Sequence, residues 1–233
     1  MNKTELILAL DLVDLREIRL LLKEIDGHVS FFKIGLKLFL AHGREALRTV
    51  RDHGRIFLDL KFHDIPNTVH AAVKEACAFG VDLIDVHTGG GAAMMRAAVA
   101  AAQGSSARII GVTVLTSLSD DELQGELQCR LDTRSMVTHL ADMAKKCGLH
   151  GVVASPMEIE PLRRELGPDF LIATPGIRIT SGGDDQKRTM GPREAAAAGA
   201  DYIIVGRPVL EAEDRLAALK MINEQLKEAF CEC

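Results

Sequence analysis

The chain predicts a single-domain (β/α)8 barrel, a TIM barrel, on three observations. Short apolar, β-branched runs recur eight times, at residues 6–10, 31–34, 56–60, 81–86, 109–114, 151–154, 170–173 and 202–205. Amphipathic or Ala-rich stretches lie between them, which implies parallel strands joined by right-handed crossovers. Eight such units fill 233 residues without a Pro/Ser-rich linker, a low-complexity tract or a long single-sign charge run, so one domain over 1–233 is expected. An open doubly wound sheet is the alternative, and the count of eight favours the barrel.

Each element has its own justification in the residues. The first run ends at Asp11 and leads to a helical stretch at 15–25; the second carries Lys33 and leads to a helical pattern over 36–51. In the third, period-2 alternation from Arg55 to Lys61 sends Phe57, Asp59 and Lys61 to one face and Ile56, Leu58 and Leu60 to the other. Pro66 suits a first helical position and residues 67–79 are Ala-rich, which places Asp64 in the turn between strand and helix. The fourth run enters His87-Thr88-Gly89-Gly90-Gly91 and a helix at 94–103; the fifth is followed by Thr116-Ser117 and a helix at 133–147. A helix at 158–166 follows the sixth run. The seventh continues into Thr174-Pro175-Gly176-Ile177-Arg178, and the polar, Gly-rich residues 177–189 read as a loop or lid before a helix at 193–198. The eighth ends at Gly206-Arg207, and a helix over 213–230 closes the chain.

Composition excludes several function classes. With 47% hydrophobic, 26% charged and 4% aromatic residues, the chain has neither a disordered bias nor the aromatic girdle of a membrane barrel. A formal charge of −5 argues against nucleic-acid binding, so an anionic ligand must be met by locally placed cations. The five cysteines, at 77, 129, 147, 231 and 233, lack paired metal-ligand spacing except in the terminal Cys-x-Cys, to which no role is assigned; reduced thiols are expected. The first apolar run is too short for a signal-peptide core or a membrane span, and a cytoplasmic protein is expected. No His/Cys/carboxylate cluster has metal-site spacing, no Gly-x-Gly-x-x-Gly follows the first strand and no Gly-x-Ser-x-Gly elbow is present, so nicotinamide, serine-hydrolase and zinc-site readings lack support.

In a barrel, chemistry belongs at the carboxyl ends of the strands. Those ends carry Asp11, Lys33, Asp59 and Lys61 with Asp64 beyond, Thr116-Ser117, Arg178, and Gly206-Arg207. Each has a bland alternative. Asp11 and Asp64 could cap helices, Lys33 could snorkel from an edge, and Thr116-Ser117 could form a turn. Gly206-Arg207 has the placement of a barrel phosphate site. Asp59 and Lys61 weigh most, because burying such a pair costs several kcal/mol per ion unless the geometry returns it. His63 is read as structural, and the Gly-rich run after His87 as close helix packing or an anion-binding backbone.

The motif Asp59-Leu60-Lys61-Phe62-His63-Asp64-Ile65-Pro66-Asn67-Thr68 closely resembles that of the orotidine 5′-monophosphate decarboxylase family, in its bacterial form. Leu8-Ala9-Leu10-Asp11, Phe32-Lys33-Ile34-Gly35, Leu115-Thr116-Ser117, Thr174-Pro175-Gly176-Ile177-Arg178, Asp184-Asp185-Gln186-Lys187-Arg188 and Val205-Gly206-Arg207-Pro208 follow in the family's order, over nearly the whole chain. At Met190-Gly191-Pro192 the chain departs from the Thr usual in the family. The resemblance implies cofactor-free decarboxylation of orotidine 5′-monophosphate to UMP, the last step of pyrimidine nucleotide synthesis. Lys61 would protonate C6, and Asp59 and Asp64 would keep Lys61 charged and oriented. It further implies ribose and charge-network contacts from Asp11 and Lys33, pyrimidine contacts from Thr116 and Ser117, and a phosphate anchor at Gly206 and Arg207. Arg178 and Gln186 would close over the ligand. A homodimer is implied, in which Asp64 and Thr68 serve the neighbouring subunit's site. Related Mg²⁺-dependent sugar-phosphate barrels share only Asp-x-Lys-x-x-Asp.

Overall fold

Eight parallel strands close on themselves in sequence order in a computed structural model that describes residues 4–179 and 189–229. They are β1 (Glu5–Ala9), β2 (Phe31–Gly35), β3 (Arg55–Phe62), β4 (Leu83–His87), β5 (Arg108–Val112), β6 (Gly151–Val153), β7 (Leu171–Thr174) and β8 (Tyr202–Val205). Each predicted run is a strand, and β1 pairs with β8 from Glu5↔Tyr202 to Leu8↔Val205, which seals the barrel. Inward residues Ile7, Ala9, Phe31, Phe57, Leu83, Ile110, Ala173, Tyr202 and Ile204 fill it with one apolar cluster. Residues of opposite parity, such as Leu8, Ile34, Leu58 and Ile84, join the larger cluster beneath the helices. Period-2 alternation thus becomes two cores separated by one sheet.

The helices are α1 (Leu15–Glu24), α2 (Leu36–His42), α3 (Arg44–Arg51), α4 (Pro66–Ala78), α5 (Gly91–Ala101), α6 (Asp120–Gly125), α7 (Thr133–Lys146), α8 (Ile159–Leu166), α9 (Pro192–Ala197), α10 (Arg207–Leu210) and α11 (Arg215–Glu228). α1 buries Leu15, Ile18, Leu21 and Leu22, a helical stripe, and Asp14 caps it by accepting from Arg16 N–H at 2.7 Å. The single helix expected over 36–51 is two, because Gly43 takes φ 53 and breaks the ladder between α2 and α3. Pro66 occupies the first turn of α4, as expected. α6 escapes a periodicity search because it spans only six residues; a capping box between Ser119 and Glu122 starts it.

Two glycine-rich features reflect close packing. A Cβ at Gly90 would stand 2.5 Å from Met94 Cε, and one at Gly111 would stand 2.5 Å from Thr88 Cγ2. The run after His87 therefore forms a 3₁₀ turn that lets α5 approach the barrel. Cys77, Cys129 and Cys147 are free thiols, while Cys231 and Cys233 lie outside the described residues. No helix among the described residues is long and apolar enough to cross a membrane.

Candidate active site

The regular alternation of β3 fails at its charged motif. Leu58 pairs with Ile84 and Phe62 with Val86, so three residues of β3 stand opposite one residue of β4. This bulge turns Lys61 into the left-handed region at φ 50, uncommon for a side chain with a Cβ. Lys61 nevertheless ends beside Asp59, as alternation expects, and its ammonium hydrogen-bonds Asp59 Oδ1.

Asp59 sits between two cations. Lys33 Nζ lies 3.0 Å from Asp59 Oδ2 and 3.4 Å from Asp11 Oδ1, so Asp11, Lys33, Asp59 and Lys61 form one alternating chain of charge. Neighbouring glycines leave the space for it. A Cβ at Gly35 would come within 3.1 Å of Lys33 Nζ, and one at Gly206 within 3.3 Å of Asp11 Oδ2. Lys33 and Asp59 are each only 9% exposed, and Asp85, beneath them, is 1% exposed.

Burial sets charge states that the neighbours then decide. For Asp59, desolvation favours the neutral acid, but Lys33, the neighbouring Asp85 carboxyl and Lys61 together outweigh it and hold Asp59 well below the ordinary carboxylate range. Desolvation likewise opposes the Lys33 ammonium, yet Asp59 and Asp11 raise it above its ordinary value. Asp85 moves the other way: burial and the adjacent Asp59 push it well above the carboxylate range. The neighbours thus favour an ionised Asp59 and a charged Lys33 and bias Asp85 toward its neutral acid.

A cavity of about 260 Å³ opens above this array. Asp11, Lys33, Asp59, Lys61, Asp85, Thr116, Arg178, Gly206 and Arg207 line it, with apolar walls from Val112, Val114, Val153, Pro175 and Ile204. One wall is therefore densely charged and another apolar. Arg207 and Gly206 stand where β8 gives way to the single turn of α10, and Arg178 stands beside a bridge between Ile177 and Met190. Arg178 N–H donates to Met190 O at 3.0 Å, which ties the two sides of the expected lid at its base. Met190 precedes Gly191, which stands where the family usually has Thr, and meets Arg178 through backbone alone in that contact.

Some expected site residues lie elsewhere. Ser117 is exposed and does not line the cavity, unlike Thr116. Asp64 and Thr68 are exposed and outside it as well; Asp64 accepts from its neighbour Ile65 N–H at 2.6 Å. Neither Asp11 nor Asp64 caps a helix, since Asp14 caps α1 and Ile65 begins α4 without a side-chain cap. Gln186 and the Asp184-Asp185 pair fall outside the described residues. His63 stacks on His87 with centroids 4.9 Å apart and does not line the cavity. Burial, then His63, then Lys61 lower His87 below the usual histidine range. Asp85 is the residue that sequence reading missed. It sits inside an apolar run, and its signal was that lone carboxylate two residues from Leu83 on the inward face of β4. Among the described residues, no group of three or more His, Cys, Asp or Glu side chains could hold a metal ion.

Fold and cavity define a (β/α)8 barrel with charge gathered in a cavity at the carboxyl ends of its strands, where barrel enzymes carry their active sites. The chain belongs to the orotidine 5′-phosphate decarboxylase / HUMPS family, whose profile matches residues 4–222. It is 43% identical to an orotidine 5′-phosphate decarboxylase of Wolbachia pipientis over 224 residues, covering 96% of this chain and 99% of that protein. It is also 43% identical to the protein of that name from Moorella thermoacetica, over 97% of this chain and 93% of the relative. A crystal structure of orotidine 5′-phosphate decarboxylase from Lactobacillus acidophilus superposes with a TM-score of 0.84 at 37% identity, covering 96% and 99% of the two chains.

Proposed function

We propose that this protein decarboxylates orotidine 5′-monophosphate to UMP and CO₂, the closing step of pyrimidine nucleotide synthesis, in the cytoplasm and as one catalytic barrel domain. The observation that carries the reading is the array of Lys33, Asp59 and Lys61 at the cavity floor, inside a family named for this reaction. In this mechanism the bond between C6 and the carboxylate breaks, CO₂ leaves, and the electron pair stays in the ring plane at C6. No ring orbital delocalises it, so the stabilisation has to come from charge placed beforehand. Lys61 supplies that charge and then transfers a proton from Nζ to C6. Asp59, ionised and pinned by Lys33, orients Lys61 while disfavouring a second carboxylate beside it.

The remaining roles are those that the family resemblance implies. Asp11 and Lys33 meet the ribose, Thr116 the pyrimidine, and Arg207 with the Gly206 amide the phosphate. Arg178 and Gln186 close over the ligand, so that phosphate binding, remote from C6, organises the reacting end. Ser117 takes a pyrimidine contact only if that closure brings it inward. Asp64 and Thr68 serve the second site of a homodimer; their exposure, with Ile65 between them 67% exposed, fits a surface that a partner covers. Loss of the orotate absorbance band when substrate meets purified protein, with EDTA present, tests the reaction; an unchanged spectrum from folded protein refutes it. Mixing Lys61→Ala with Asp64→Ala subunits tests the shared site. One site of each mixed dimer is then intact, so activity should return to about a quarter of wild type, and no return refutes sharing.

A further inference from the structure

The position of Asp85 follows from the bulge. Asp59, Leu60 and Lys61 of β3 stand opposite Asp85 alone, between the pairs Leu58↔Ile84 and Phe62↔Val86. A bulge leaves backbone groups without ladder partners, and Asp85 Oδ1 accepts one of them, Lys61 N–H, at 2.9 Å. Asp85 Oδ2 is shut from water and receives no N–H or O–H among the described residues. That leaves a buried oxygen without a partner, and after burial itself the charge that acts most strongly on the Asp85 carboxyl is that of Asp59. Asp59, held between two ammoniums, has no hydrogen to give, so a hydrogen bond between the two carboxyl groups must take its hydrogen from Asp85.

We propose that Asp85, as the neutral acid, is a positioning residue for the decarboxylation assigned above. One oxygen fixes the left-handed backbone of Lys61, and the other donates to Asp59, so that the Lys61 ammonium is set at the reacting carbon. The groups facing it agree. β3 presents Asp59 and Lys61, β5 presents the apolar Ile110 at its register position, and His87 follows two residues on along β4. Burial and then Asp59 favour the neutral form, and the charge and backbone hydrogen bond of Lys61 oppose it. The sign for stability follows. A raised carboxyl takes up a proton on folding, so its contribution is fully present below the ordinary carboxylate range and is lost as pH rises toward the folded value.

Asn at this position keeps an acceptor for Lys61 N–H and a donor for Asp59, without a proton to lose. Asp85→Asn and Asp85→Ala are therefore compared for kcat and KM on orotidine 5′-monophosphate, and for Tm, across the pH range. Asp85→Asn should keep kcat within about threefold, whereas Asp85→Ala should lose at least about tenfold in kcat with little change in KM. The Tm of Asp85→Asn should exceed that of the wild type increasingly as pH rises above the ordinary carboxylate range, and the gap should close toward acid. An Asn variant as impaired in kcat as the Ala variant, or an Ala variant with full kcat, overturns the assignment. If Asp85→Ala does not fold, the Asn variant decides alone: a Tm below wild type at alkaline pH overturns it. The Tm comparison needs no substrate, so inertness of the wild type toward orotidine 5′-monophosphate defeats the decarboxylase reading separately.

Discussion

The two ends of this barrel handle charge in opposite ways. At the amino-terminal end, Asp82 before β4 accepts from Arg51 Nη1 at 3.1 Å and from Ile56 N–H at 2.8 Å. Asp201 before β8 repeats the pattern, accepting from Arg163 Nη2 at 2.5 Å and from Ile172 N–H at 2.8 Å. Each carboxylate has one arginine and one backbone donor, so each holds a strand entrance in place. At the carboxyl-terminal end, Asp11, Lys33, Asp59, Lys61 and Asp85 share partners and line an open cavity. A pair that satisfies itself makes structure, whereas a chain of charge with a free end is able to act on something else.

That contrast is open to attack at both ends. The largest effect is expected from Lys61→Ala, which should lower kcat by about 10⁴-fold or more with Tm little changed. Steady-state kinetics and calorimetry on the same sample check it, and near-normal turnover would remove Lys61 as proton donor. Arg207→Ala should raise KM for the phosphorylated substrate by about 10²-fold, with a much smaller defect on phosphate-free orotidine. Equal losses on both substrates would contradict a phosphate role. Asp201→Ala should do the reverse of Lys61→Ala, costing about 1–3 kcal/mol of stability by leaving Ile172 N–H without its acceptor and Arg163, still bonded to backbone carbonyls, without its counter-charge, while kcat is preserved in the folded fraction. A collapse of kcat there would erase the distinction between the ends. The smallest effect concerns pH. Because Asp59 is held below the ordinary carboxylate range, its contribution to stability is present above that range and lost as pH falls through the folded value. Asp59→Asn should therefore flatten the acid side of the Tm profile, and an unchanged profile would mean that Asp59 gains nothing from its two lysines.

Most of the barrel could be read from the sequence because its strands are short apolar runs and its helices carry a periodic stripe. Gly43 hid a helix break inside a continuous pattern, and α6 was too short to show a period. The charged motif on β3 was legible because charge in an apolar strand needs a reason. Asp85 was not, since one carboxylate in an apolar run has no spacing partner in sequence; its partners come from β3, across a register shift that no local pattern encodes. The exposure of Asp64 and Thr68, and of Ser117 beside a cavity-lining Thr116, also depends on how loops leave the strands rather than on residue type.

The left-handed backbone at Lys61 bears on anyone who would transplant this site. On a regular strand, side chains two residues apart stand about 6.6 Å from each other and point in parallel. Copying Asp-x-Lys onto the flat strand of another barrel would reproduce the letters without the contact between Asp59 and Lys61. The portable unit is instead a two-strand cassette: the bulged end of β3, with the short stretch of β4 whose carboxyl group accepts the Lys61 N–H.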